Sequence, residues 1–242
     1  MLIDAQNLCV RFGAKQAVED VCLSLARGER LAVVGESGSG KSTLGKALMG
    51  LVARPGIVSS KRLMIEGRDM RSASPSQWQA VRGRSIGLMM QDPRYCLNPV
   101  MTIGRQIAEC NASSSVEDCL AEVELSPAIA SRYPHQLSGG QGQRAYLAMV
   151  LALSPQLLIA DEPTSALDPP LALQMMELIE KRMQARGMAL LLITHDIDLA
   201  RRTCPRLIVM QDGKAVETLE SGAEPKHPFT RRLIACVPRL AC

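Results

Sequence analysis

The run "RLAVVGESGSGKST", Arg30 to Thr43, limits what this chain can fold into more than any other stretch. A short apolar strand, Arg30 to Val34, ends on a glycine, as a buried parallel strand does. The loop behind it, Gly35-Glu36-Ser37-Gly38-Ser39-Gly40-Lys41-Ser42, matches GxxxxGK[ST], with Thr43 following in a helix read over Ser42 to Leu51. Backbone N–H groups of such a loop, and the N-terminus of its helix, hold phosphates. Lys41 reaches the β and γ oxygens, and the Ser42 hydroxyl is placed to ligate Mg2+. Strand, loop and helix come in the order that the motif needs, so the chain is expected to bind a nucleotide.

The rest of the chain supplies a sheet for that loop. Short strands and turns precede Arg30, and a two-period segment, "IVSSKRLMIEG", follows the first helix. From about Ser72 to Leu153 the text changes to helix-length segments and polar loops such as "NASSSVEDC". Alternation then resumes: strand "LLIADE", helix "LALQMMELIEKRMQARG", strand "MALLLITHD", helix "IDLARRT", strand "RLIVMQDG". Strands separated by helices of this length imply βαβ crossovers and a parallel sheet. The expectation is one α/β core with a helical insertion.

Acidic and basic side chains end two of those strands. "LLIADEP" delivers Asp161 to a strand's C-terminal edge, where open α/β sheets bind ligands, to hold Mg2+ through water. Glu162, one residue on, can orient and polarise an attacking water. His195 ends "LLLITH" and is placed to contact a γ-phosphate. A second glycine loop, "LSGGQGQR" (Leu137 to Arg144), opens a long apolar helix running to Pro155. Ser138 can cap that helix, or the loop's amides and the helix dipole can receive an anion.

Together "GESGSGKST", Gln91 in "MMQDP", "LSGGQ", "LLIADE", "SALD" and "ITHD" follow the order found in ATP-binding-cassette (ABC) ATPases, and the chain resembles that family over essentially its whole length. The resemblance implies a P-loop NTPase parallel-sheet core over about 1–91 and 154–220, including an N-terminal antiparallel β subdomain. It also implies an inserted α-helical subdomain over about 92–153 and a C-terminal tail over about 221–242. It implies ATP and Mg2+ as ligands. Glu162 and His195 would be catalytic, and Gly35, Glu36, Ser37, Gly38, Ser39, Gly40, Lys41, Ser42, Thr43 and Asp161 would bind ATP. Phe12, 29 positions before Lys41, resembles the aromatic that stacks on adenine. Gln91 resembles the residue that links Mg2+ and water to a membrane partner, so Ser42, Gln91 and Asp161 form the expected metal set. In the family two cassettes pack head to tail, so Ser138, Gly139, Gly140 and Gln141 would contact ATP held by the other subunit. Ser165, Ala166, Leu167 and Asp168 would communicate across that dimer. Gly142 departs from the basic or polar residue that is frequent there.

Two distant regions resemble one branch of the family, importers for dipeptides, oligopeptides and nickel. These are "VRGRSIGLMMQDPRYCLNPVMTIGRQIAE" (Val81 to Glu109) and "HPFTRRLIACVP" (His227 to Pro238). Size and the "MMQDPR" wording look closer to the nickel or metal-chelate members. The implied partners are a second ABC ATPase subunit (sibling or identical), two transmembrane permeases and, indirectly, a periplasmic or lipid-anchored solute-binding protein. The implied location is peripheral, on the cytoplasmic face of the inner membrane.

Composition fits this reading. The longest apolar runs fall short of the ~20 residues that cross a bilayer, and the N-terminus does not read as a signal peptide. The net charge of +4 and 2% aromatic content argue against nucleic acid as a partner. The eight cysteines are scattered without a CxxC pair, and are expected to be reduced thiols rather than disulfides or a zinc site. Rival readings are a soluble ABC-type ATPase of DNA repair or translation and a nucleotide-binding regulatory module. The first usually carries a long coiled coil or two fused cassettes, which this sequence lacks, and intact Gln91, Glu162 and His195 weigh against the second.

Overall fold

Alternating apolar residues shape the first hairpin, β1 (Ile3–Phe12) and β2 (Lys15–Leu25), whose strands pair antiparallel across a turn with Gly13 at φ 59°. In the computed structural model, which describes residues 1–110, 114–220 and 222–235, the chain divides into two units. The first holds Met1–Arg82 and Ala189–Cys242, the second Gly83–Met188.

In the first unit, β3 (Arg30–Val34) leads through the lysine loop into α1 (Lys41–Leu48). The helix stops three residues before the expected Leu51, and its C-terminus is closed from outside. The Arg82 guanidinium donates to the carbonyls of Met49 at 2.9 Å and Gly50 at 2.6 Å, and lies 5.7 Å above the Trp78 ring. The segment read as one two-period run is two strands, β4 (Gly56–Ser59) and β5 (Arg62–Ile65). They pair with the second and first halves of β1, and β6 (Arg68–Asp69) pairs with β5. Helix α2 (Pro75–Val81) opens on a Ser74–Gln77 capping box and carries Trp78.

The second unit holds β7 (Ile86–Met89), α3 (Ile103–Cys110), α4 (Val116–Glu122), α5 (Gly139–Ala152), β8 (Leu157–Asp161) and α6 (Pro169–Arg186). Strands β7 and β8 are parallel. Every residue of β8 is buried, which is why that stretch reads as a continuous apolar run. Helix α6 starts two residues before the expected Leu171, because Asp168 caps it and Pro169 and Pro170 fit its first turn.

The chain then returns to the first unit with β9 (Ala189–Thr194), α7 (Ile197–Thr203), β10 (Arg206–Gln211), β11 (Lys214–Glu220) and α8 (Pro228–Ala235). Strands β10, β3 and β9 run parallel in that order, and β11 is antiparallel to β10. The "HPFT" segment is tied to β11. The Glu217 carboxylate accepts the amides of Lys226 at 2.7 Å and His227 at 3.2 Å, and Phe229 is buried behind them. The "VP" of that motif, with Cys236 and Cys242, lies outside the described residues. Among the described residues Cys9, Cys22, Cys96, Cys110, Cys119 and Cys204 form no disulfide.

Arg82→Ala should lower stability by about 2 kcal/mol, because two carbonyls at the end of α1 lose a charged donor. At about 2–4 °C per kcal/mol for a chain of this size, the thermal midpoint should fall by about 4–8 °C. Arg82→Lys should recover only part of it, since a single ammonium cannot span both carbonyls as a planar fork does. Differential scanning calorimetry of the three proteins checks this.

Candidate nucleotide site

The lysine loop is a shape that only glycine permits. A Cβ on Gly35 would lie 2.2 Å from the Met210 carbonyl oxygen, in β10. On Gly40, at φ 100°, it would lie 2.3 Å from the Ala17 carbonyl oxygen, in β2. Gly38 meets nothing, but sits at φ 81°, where a side chain is strained. The loop is also pinned by Gly213 N–H, which donates to the Ser39 carbonyl at 3.1 Å.

Lys41 is 7% exposed and folds back over the loop. Its Nζ donates to the carbonyls of Gly35 and Glu36, both at 2.8 Å, and lies 3.5 Å from Ser39 Oγ. A buried ammonium needs such partners, since desolvation without them costs far more than a lost hydrogen bond. The Leu44 amide donates to the Gly40 carbonyl at 2.8 Å, so amide donation inside α1 begins there. The amides of Lys41, Ser42 and Thr43 are therefore first-turn donors with no earlier carbonyl in the helix, the arrangement that receives a phosphate.

Phe12 stands at the end of β1, directly opposite Gly56 of β4. A Cβ on Gly56 would come within 2.6 Å of Phe12 Cε1 and 2.5 Å of Val52 Cγ1, so the ring rests on a backbone that has no room for a side chain. His195 is exposed at the end of β9. Beside it the Asp196 carboxylate caps α7 through the Leu199 amide at 2.9 Å, and the Asp196 amide donates to Thr194 Oγ1 at 3.0 Å.

In the second unit Asp161 is buried, 8% exposed, at the C-terminal end of β8. Glu162 follows at φ 50°, and its carbonyl accepts the Ser165 amide at 3.2 Å and Ser165 Oγ at 3.1 Å. Gln91 is exposed just beyond β7. Near it the half-buried Tyr146 hydroxyl donates to the Leu88 carbonyl at 3.0 Å, and desolvation pushes the phenol far up. The Cys96 thiol is likewise raised by burial, so it is not a reactive thiolate.

The second glycine loop is held by a reciprocal cap. Gln141 N–H donates to Ser138 Oγ at 3.3 Å, and Ser138 N–H donates to Gln141 Oε1 at 3.1 Å. The serine cap was legible in the sequence; the glutamine's half of it was not. No crowding imposes these glycines. A Cβ on Gly139 would find its nearest atoms at 3.9 Å, on Gly140 at 3.6 Å and on Gly142 at 3.9 Å.

Comparison with known proteins gives a consistent picture. A family model described as ABC transporter matches residues 18–165. The dipeptide transport ATP-binding protein DppD of Escherichia coli (strain K12) is 40% identical over 260 residues, covering 99% of this chain and 79% of that protein. The chain belongs to the ABC transporter family. The glutathione import ATP-binding protein GsiA of Salmonella paratyphi A is 42% identical over 245 residues, covering 93% of this chain and 39% of that protein. Among solved structures, the ATP-binding cassette MJ0796, dimeric and in a post-hydrolysis state with ADP and Pi, matches with a TM-score of 0.79 and 27% identity. That match covers 92% of this chain and all of the other. As an ABC transporter ATPase the chain binds and hydrolyses ATP.

Three supporting residues of this ABC cassette escape a motif search. Arg82, Glu217 and Gln143 act on backbone atoms, and only Gln143 leaves a trace in the sequence, as a polar residue on the buried side of an otherwise apolar helix.

Gly40→Ala should abolish nucleotide binding by the isolated chain, because the added methyl collides with the Ala17 carbonyl and forces the loop open. Titration with a fluorescent ATP analogue checks this, and wild-type affinity would mean that the loop tolerates another shape.

Proposed function

We propose that this chain is the ATP-hydrolysing cassette of an importer for small peptides, and that it works as one of two cassettes, each completing the other's ATP site. The contrast between the glycine loops carries the second part. Gly35 and Gly40 of the lysine loop are demanded by carbonyl oxygens of the chain itself, and Gly38 by its backbone angle. Gly139, Gly140 and Gly142 stand in a helix where alanine would be more stable by roughly 0.5–1 kcal/mol each, with no crowding inside the chain to require them. Close backbone approach by something outside the chain accounts for that cost, and ATP on another subunit fits the exposed, dipole-positive end of α5.

The residue roles follow from chemistry. The lysine-loop amides and Lys41 hold the phosphates, and Phe12 stacks on the adenine. Ser42 and Asp161, with Gln91, offer the hard oxygen donors that suit Mg2+, which supplies neutralisation of phosphate charge when bound. Glu162 polarises the attacking water and His195 contacts the γ-phosphate. Ser138, Gly139, Gly140 and Gln141 act in trans, and Ser165 to Asp168 communicate between subunits. None of the helices among the described residues is long and apolar enough to cross a membrane. Two permease subunits carried by other chains, and a solute-binding protein outside the membrane, complete the importer. The cassette would sit peripherally on the cytoplasmic face of the inner membrane. DppD and GsiA are a dipeptide and a glutathione transport protein by name, which favours peptide over nickel or metal chelate as the cargo and favours an importer over an ATPase of repair or translation.

Glu162→Gln should bind ATP and accumulate as an ATP-dependent dimer on size exclusion, with its sibling cassette supplied if the natural pair is mixed. Persistent monomers under both conditions would refute the shared site. Gly139→Leu should leave ATP binding by the isolated chain unchanged and reduce steady-state hydrolysis at least ~10-fold, as loss of a preorganised donor does. Reduced affinity in the monomer would count against action in trans. Deletion of the chain should abolish uptake of a labelled dipeptide and spare nickel uptake; the reverse result assigns the cargo to the metal.

A further inference from the structure

Gln143 is 1% exposed, inside α5, one turn beyond Gly139 and Gly140 of the second glycine loop, the signature loop of the family. Its Nε2 donates to the Pro163 carbonyl at 2.7 Å, which fixes the amide's orientation, since a carbonyl can only accept. Its Oε1 is buried and has no hydrogen-bond partner among the described residues. A buried acceptor without a donor works against folding, and an aliphatic side chain of similar size would avoid it. Stability therefore does not explain the glutamine.

What it touches does. Pro163 follows Glu162, and a residue before proline is driven towards extended backbone. Glu162 instead sits at φ 50°, a conformation that persists only where surrounding bonds enforce it. Ser165 holds the carbonyl of Glu162, through both its amide and its hydroxyl, and Gln143 holds the next carbonyl along.

We infer that Gln143 is a positioning residue for hydrolysis: from the signature helix it clamps the carbonyl of Pro163, the residue after Glu162, and so aims the water-polarising carboxylate. The inference rests on the proposed role of Glu162 and adds a consequence to it. Helix α5 opens with the loop assigned to another subunit's ATP, and its Gln143 holds the carbonyl of Pro163, the residue that follows the acid assigned to its own. A shift of α5 as that loop closes would be passed to Glu162 through one hydrogen bond.

Gln143→Leu and Gln143→Met, assayed for ATP hydrolysis with the sibling cassette if it is needed, test this. kcat should fall ~10-fold or more while KM for ATP stays within about 2-fold, as expected when an interaction acts on the chemical step and not on substrate binding. The thermal midpoint should match or exceed wild type, since the orphaned oxygen is gone. Each substitution placed in the Glu162→Gln background should leave the ATP-dependent dimer intact. Wild-type kcat in both variants overturns the proposal. So does loss of the dimer, which would assign Gln143 to the signature loop, or a large fall in midpoint in both, which would make it a structural residue. If Glu162→Gln alone hydrolyses ATP at the wild-type rate, the assignment of Glu162 fails, whatever Gln143 does.

Discussion

One buried ammonium organises the first unit. Lys41 is held by the carbonyls of Gly35 and Glu36, so the loop must curl around its own cation, and curling brings its backbone against two neighbouring strands. The Met210 carbonyl in β10 and the Ala17 carbonyl in β2 press on Gly35 and Gly40 where any side chain would collide. Parallel sheet and antiparallel hairpin therefore meet at this loop, each supplying one wall. The same carbonyls that satisfy the lysine keep its charge near first-turn amides of α1, and a phosphate arriving there exchanges protein oxygens for its own. A loop that already holds its cation in place loses little ordering entropy when the ligand binds.

The two glycine loops are alike in composition and opposite in cause. In the first, glycine is a requirement of the fold, read at Gly35 and Gly40 from distances too short for a Cβ. In the second, a Cβ on each glycine would meet its neighbours at ordinary contact distance without crowding, and each glycine weakens the helix that it starts. A residue that costs stability and answers no local need is explained by a need elsewhere. This is the physical content behind the trans assignment, and it stands apart from family resemblance.

Legibility in the sequence followed the strength of local constraint. β8 and β9 were readable because both are buried throughout and their apolar runs are unbroken. The cap on α5 was readable because Ser138 precedes its helix directly. β11 was not singled out, since Leu219 is its only buried residue and no alternation betrays it. β7 spans four residues, too few to establish a period. The phosphate loop was complete in the sequence because its chemistry lies in consecutive residues. The clamps of Arg82 on Met49 and Gly50, of Glu217 on Lys226 and His227, and of Gln143 on Pro163 were not. Each joins side chain to backbone across 9 to 33 positions, and a backbone partner has no residue type to recognise.

Those clamps share a logic that bears on how the cassette works. An arginine that closes a helix end or a glutamate that gathers two amides satisfies groups that would otherwise be bare, and contributes stability in doing so. Gln143 differs, because it completes one bond and leaves its other polar atom without a partner among the described residues. The bond that it makes sustains a backbone angle at Glu162 which the following proline opposes. Strain at an acid proposed to polarise water, maintained from a helix whose N-terminal loop is proposed to serve another subunit's ATP, is suited to a site that should act only when assembled. A relaxed Glu162 would need no such support, and would aim its carboxylate with or without a second subunit.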